Sequence, residues 1–318
     1  MAAKEKLLEI HYSMVKVRRV EERLVEIFAQ GKIPGFIHVS IGQEAVAAGV
    51  CSCLNADDSI YTTHRGHGQA LAKGISLKSF MAEIYGRRDG CCKGKSGSMH
   101  IACKQSGVAG SNGIVGAGIP ISIGAAFASM YRGENKVTVC FFGDGASNQG
   151  TFHESLNISS LWNLPIVFCC ENNGWAQFSS QKTYMKLENV SKRAEAYGMR
   201  GVTVNGDDVL EVHREAEKAV ERARIGQGPT LLECKTHRWM GHYVGDAQKY
   251  RPATEVQQVK EFDSIARFEK FLIESGYIGE DYPATVEARI KSEIEEAIAY
   301  AESSPIAGAE ELFNDVYA

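Results

Sequence analysis

VTVCFFGDGASNQGTFHESLNISSLWNLPIVFCCENN, residues 137–173, is the stretch that decides the fold. An apolar run, 137–142, breaks at Gly143-Asp144-Gly145 and passes through a polar turn. A helical segment from about Thr151 to Leu161 follows, then a second apolar run at 165–170. Two continuous apolar runs joined through a helix read as a βαβ unit with two parallel strands buried on both faces. Asp144 and Asn172-Asn173 then fall at the carboxyl ends of parallel strands, the end at which open α/β sheets bind ligands.

The residue types there suggest a ligand. Gly143 and Gly145 let backbone amides approach a phosphate, while Asp144 and an Asn carbonyl are hard oxygen donors suited to magnesium. The arrangement resembles the thiamine diphosphate motif, GDG followed at a set distance by NN; here 173 − 144 = 29 residues separate Asp144 from Asn173. A glycine turn with an Asp capping the next helix accounts for GDG alone but not for the Asn pair as well. A dinucleotide fingerprint needs a third glycine where Asn148 stands, which argues against a nicotinamide-dependent Rossmann dehydrogenase. A Walker loop needs four residues between its glycines, and Gly90 to Gly94 encloses three.

Composition narrows the class. At 318 residues the chain can bury a sizeable core, as one large α/β domain or two small ones, and 44% hydrophobic with 23% charged residues is ordinary for a globular protein. A net charge of −4 gives no reason to expect nucleic acid or an anionic membrane as partner. The nine cysteines are odd in number and contain no C-x-x-C, so neither a disulfide framework nor a zinc site is indicated, and spectator thiols in a reducing cytosol are expected. The N-terminal MAAKEKLLEI carries charges where a signal peptide needs an apolar core, which points to a cytoplasmic protein.

Along the chain, 7–30 reads as a long amphipathic helix stopped by Gly31, and Gly42-Gln43-Glu44-Ala45 starts a small-residue helix. Tyr61 to Gly68 carries His64, Arg65 and His67; a guanidinium among small residues suits a diphosphate, and a solvated loop Arg is the plain alternative. A short helix is expected at 76–85, a basic glycine-rich loop at 86–97, and a tightly packing helix at 119–131 preceded by Asn112-Gly113-Ile114-Val115-Gly116. Strand 199–204, helix 208–225 and strand 230–235 continue the alternation, so the fold class is α/β, a parallel sheet with helices on both faces. A long polar loop, 237–251, holds His242, whose imidazole titrates near neutrality; two helices, 254–275 and 283–303, close the chain. The domain expectation is a single α/β unit over 1–318, with its core at about 40–236, a helical segment at 4–30, and the loop and helices of 237–318.

Gly42-Gln43-Glu44-Ala45, His64-Arg65-Gly66-His67-Gly68, the 112–116 segment and the R-x-x-G-H-x-x-x-D pattern at 238–246 together resemble alpha subunits of the thiamine-dependent first component of acetoin and 2-oxo acid dehydrogenase complexes. The resemblance runs nearly the length of the chain. It implies the thiamine diphosphate-binding fold, with the diphosphate and neighbouring rings contacted by His64, Arg65, Gly113, Val115, Gly143, Asp144, Gly145, Ala146, Asn173 and His242. It implies Mg2+ on Asp144, Asn173 and the Trp175 carbonyl, and catalytic roles for His67 and His242. Chemistry runs through the C2 carbanion of the cofactor. The carboxylic acid that activates this carbon comes from a beta subunit in an α2β2 assembly, and the acyl group passes to a lipoyl-bearing acyltransferase. The His64-Arg65 form leans toward acetoin, where pyruvate dehydrogenases more often carry Tyr-Arg; pyruvate and branched-chain 2-oxo acids are the alternatives.

Overall fold

The computed structural model describes residues 3–316. Its strands are β1 (Ser59–Thr63), β2 (Val108–Asn112), β3 (Thr138–Gly143), β4 (Ile166–Asn172), the short β5 (Trp175–Ala176) and β6 (Ser179–Ser180), β7 (Arg200–Asn205) and β8 (Thr230–Lys235). The helices are α1 (Lys4–Ala29), α2 (Glu44–Cys51), α3 (His67–Ala72), α4 (Leu77–Ile84), α5 (Gly118–Tyr131), α6 (Gly150–Leu161), α7 (Gln181–Tyr184), α8 (Val209–Arg224), α9 (Ala253–Gln258), α10 (Ser264–Glu274) and α11 (Tyr282–Ser303). Six strands form one parallel sheet in the order β2-β1-β3-β4-β8-β7, and β5 and β6 make a separate antiparallel hairpin. The βαβ unit is present as read: β3 and β4 pair in parallel from Thr138–Ile166 to Gly143–Glu171.

Side chains alternate across the central strands and so build two cores. Val139, Phe141, Val167, Cys169, Leu232 and Cys234 face α1, α2, α4, α8, α10 and α11. Cys140, Phe142, Ile166, Phe168, Cys170 and Leu231 face α5 and α6. The first core runs from Leu7 to Ala301. The N-terminal helix and the C-terminal helices are therefore integral to it.

Three elements differ from expectation. β1 (SIYTT) and the edge strand β2 (VAGSN) carry no apolar run; pairing with β3 makes a strand of one, and pairing with β1 makes a strand of the other. The C-terminal segment 254–275 is two helices, not one. Asp263 leaves helical geometry (φ −66°, ψ 108°) and its carboxylate accepts from the Ile265 N–H, so it caps α10 and breaks the run from α9. Gly276, at φ +70°, ends α10 as expected.

Candidate active site

The chain steps from β1 outward to β2 and then returns to place β3 on the other side of β1. At such a reversal the loops diverge and leave a crevice beyond the strand carboxyl ends. A cavity of about 440 Å³ lies there. β1 supplies Thr63, His64 and Arg65; β2 supplies Asn112, with Gly113 and Val115 following; Gly143 to Ala146 leave β3, and Glu171 and Asn173 come from the end of β4. The 237–251 loop roofs the site with Arg238 and His242. It is zipped to the 37–41 segment by Trp239 N–H to the Ile41 carbonyl (3.0 Å) and Val244 N–H to the Ile37 carbonyl (3.0 Å). Every candidate residue from the sequence lines this cavity except His67.

His67 corrects an expectation. It is fully buried, its Nδ1 is 2.9 Å from Glu21 and its Nε2 2.9 Å from the Ser98 hydroxyl. The Glu21 carboxylate accepts, so Nδ1 carries a proton, and Nε2 pairs with the Ser98 hydroxyl. The same Glu21 accepts from the Ser40 N–H and hydroxyl at 2.8 Å each. His67 thus ties Ser98, and with it the cavity-lining Met99, to α1, and its ring lies outside the cavity lining.

Electrostatics define what the cavity holds. Arg65 is 6% exposed and finds only neutral partners: the Val39 carbonyl (2.7 Å), the His242 carbonyl (2.8 Å) and His242 Nδ1 (3.3 Å). Burial, then repulsion from Arg238, pushes its pKa down to about 9. Arg238, buried too, bonds the Met240 and Gln177 carbonyls and the Tyr250 hydroxyl, and burial lowers its pKa as well. Two buried guanidiniums without a carboxylate partner are a site for an anion. Across the cavity, burial raises the pKa of Asp144, whose side-chain partner is the Tyr184 hydroxyl. A buried carboxylate of this kind calls for a cation. Asn173 Oδ1 accepts from the Trp175 N–H (3.1 Å) and its Nδ2 donates to Gln43 (2.8 Å), which fixes the carbonyl beside Asp144. The donor set therefore fits a diphosphate carrying a hard divalent cation.

Imidazoles fill the remaining wall. His38, His64 and His242 meet edge-on, with ring centroids 4.7–5.3 Å apart. Burial, reinforced by Arg65, pushes them down to about 3, 2 and 4 respectively, so all are neutral at pH 7. Arg65 donates to His242 Nδ1, which leaves the His242 proton on Nε2. Glu171 is pushed up to about 7 by burial, against the opposing pull of Arg65 and the Gln69 amide, which bonds both its oxygens at 2.8 Å. Asn172 orients the loop as its sequence position suggests, donating to Glu233 (2.7 Å) and accepting from the Gly174 N–H (3.0 Å).

Sequence reasoning missed His38, Gln43, Glu171 and Arg238 as cavity residues. Gln43 and Arg238 sit inside motifs that were recognised, so those motifs were the available signal. His38 lies in an irregular stretch whose pattern marks nothing.

The model of the dehydrogenase E1 component family matches residues 12–310. The chain is 47% identical over 314 residues to the alpha subunit of acetoin:2,6-dichlorophenolindophenol oxidoreductase of Bacillus subtilis, covering 98% of this chain and 94% of that one. It is 44% identical to the subunit of the same name from Cupriavidus necator, over 99% and 95% of the two chains. It is 41% identical to the chloroplastic pyruvate dehydrogenase E1 component subunit alpha-3 of Arabidopsis thaliana, over 100% of this chain and 76% of that one. With the cavity, its charges and these matches together, the chain belongs to the dehydrogenase E1 component family, as the alpha-type subunit of a thiamine-dependent oxidoreductase.

Proposed function

We propose that the chain binds thiamine diphosphate through Mg2+ and acts on acetoin, passing the acyl group to a lipoyl carrier as half of an α2β2 enzyme. The observation that carries this reading is the opposition of two unpaired buried cations, Arg65 and Arg238, to the buried carboxylate of Asp144 in one cavity. Arg65 and Arg238 would hold the diphosphate, and Asp144, Asn173 and the Trp175 carbonyl the metal. Gly113 and Val115 would offer backbone groups to the aminopyrimidine, their small or exposed side chains leaving that edge open. When bound, the cofactor supplies an electron sink for bond cleavage beside a carbonyl. His242 Nε2–H can donate to a developing oxyanion, and the neutral ring can take a proton back. His38 and His64 keep water out of that corner and present neutral polar edges to the substrate.

Acetoin is favoured because the two relatives of highest identity named above carry it in their names and because His64 replaces the Tyr more frequent in pyruvate dehydrogenases. Pyruvate is the second reading, supported by the 41% relative. A partner is supported by an exposed apolar face on α5 and the end of α6. There Phe127 packs against Tyr131 (5.9 Å) and Trp162 (5.5 Å), with Ile121 and Leu161 also exposed. Nine free cysteines suit a reducing cytosol, and no described helix is long and apolar enough to cross a membrane.

Dye reduction by the chain co-expressed with its beta partner, with thiamine diphosphate and Mg2+, tests the reading. Acetoin, pyruvate and a branched 2-oxo acid would be run side by side. Turnover of acetoin that requires both chains and the cofactor is expected. A higher kcat/KM for pyruvate would overturn the substrate assignment, and turnover without thiamine diphosphate would overturn the cofactor.

A further inference from the structure

Among the described residues, two groups of side chains bring three ligating atoms within 4.8 Å of one another: His38, His64 and His242, and Glu83, Cys91 and Cys92. The first group faces Arg65 and Arg238, whose charges repel a metal ion. The second does not. We propose that Cys91 and Cys92, beside Glu83, form a binding site for a thiophilic cation of the Zn2+ and Cd2+ class.

The loop that carries the pair is rigidly held. Glu83, fully buried, accepts from the N–H groups of Cys92 (2.8 Å), Gly94 (2.9 Å), Ser96 (2.8 Å) and Gly97 (3.1 Å) and from the Ser96 hydroxyl (2.8 Å). Its lone pairs are spent on these donors, so the carboxylate organises the loop and the sulfurs do the binding. Cys91 N–H is anchored on the Ser79 carbonyl of α4 (3.3 Å). Two sulfurs on a tetrahedral ion with bonds of about 2.3 Å stand roughly 3.8 Å apart, and the ligating atoms here all lie within 4.8 Å of one another. Closing the pair into a disulfide is unfavourable: neighbouring Cα atoms across a trans peptide are about 3.8 Å apart, short of the roughly 4.4–6.8 Å that disulfides span. The pair therefore persists as a dithiol.

Ligand chemistry agrees with the geometry. Cys92 Sγ donates to the Ala102 carbonyl (3.1 Å) and accepts from the Ala102 N–H (3.3 Å), which fixes the sulfur on the loop. The sulfurs bind as thiolates, so metal binding displaces their protons: M2+ + Cys91–SH + Cys92–SH gives the bis-thiolate and two H+, with no change of oxidation state. Entry is open, since Cys91 and Cys103 line one surface depression with Ser76, Ser79 and Ser106.

The full chain, reduced with a non-chelating phosphine, would be titrated with Cd2+ and followed by thiolate-to-metal charge-transfer absorption. One ion per chain and release of about two protons are expected. Cys91→Ser and Cys92→Ser should each weaken binding by about tenfold or more, and Cys53→Ser should leave it unchanged. Should a variant fail to fold, alkylation of the unaltered chain answers the same question: Cd2+ should protect Cys91 and Cys92. Uptake that survives both serine variants, absent uptake by the reduced chain, or alkylation of Cys91 and Cys92 undiminished by Cd2+ would overturn the site.

Discussion

Replacing Arg65 with methionine should make the ligand-free chain more stable while removing its affinity for the cofactor. The guanidinium is buried among carbonyls and imidazoles, and its pKa falls from 12.5 to about 9, chiefly through burial. A base with a depressed folded-state pKa is charged in both folded and unfolded chains at pH 7. The whole penalty is therefore present there and fades only as pH rises from about 9 toward 12.5. A drop of about 3.5 units corresponds to about 5 kcal/mol against folding. Methionine removes that penalty and keeps most of the volume, but strips a donor from the Val39 and His242 carbonyls, each worth about 1–2 kcal/mol. The balance is a gain of about 1–3 kcal/mol, which raises Tm by several degrees in a chain of this size. Bound ligand at a hundredfold excess over Kd stabilises by about 2.7 kcal/mol, and in the variant this increment should nearly vanish. Calorimetric melts with and without thiamine diphosphate and Mg2+ measure both effects. A variant that melts lower than the parent without ligand, yet keeps the ligand-induced rise, would refute the reasoning, because Arg65 would then be a structural cation rather than one held for an anion.

Asp144→Asn should abolish Mg2+-dependent cofactor binding without loss of ligand-free stability, since burial already disfavours this carboxylate; intact affinity in isothermal titration would remove Asp144 from the metal site. His242→Gln should leave cofactor affinity unchanged and lower kcat for lipoyl transfer by about 10²-fold or more, and unaltered turnover would make the residue a bystander. His38, His64 and His242 all have folded-state pKa values below the unfolded 6.5, so the unfolded chain binds more protons between that value and about 4. Their contribution to stability is complete above pH 6.5 and declines on acidification through that window; urea midpoints that do not fall between pH 6.5 and 4.5 would contradict their burial. Gly145→Ala places a methyl 2.6 Å from the Ala176 Cβ and should destabilise the turn beyond β3 by about 1–3 kcal/mol, which chemical denaturation would read.

What the sequence determined by itself is whatever local chemistry expresses. The apolar runs of β3 and β4 declare buried parallel strands, because only a strand covered on both faces uses so many consecutive apolar residues. Gly143-Asp144-Gly145 together with Asn172-Asn173 points to a polar ligand, because a glycine turn with a capping Asp accounts for the first but not for the second. Three-to-four spacing of apolar residues in α1 and the cap of α8 at Asp208, which accepts from Leu210 and Glu211, fixed those helices in the same way. Tertiary structure alone decided the rest. β1 has strand-favouring residues but no apolar run and takes its place by pairing with β3, while β2 exists because β1 offers an edge, not because VAGSN prefers extension. His38 enters the site only because 237–251 folds down on the 37–41 segment, and His67 leaves it because Glu21, 46 positions away, draws the ring into the core. Arg65 and Arg238 become an anion site through burial together across 173 residues of chain, since exposed guanidiniums would be hydrated and ordinary. A charge acquires its meaning from the water it has lost, and that is a property of the packed chain.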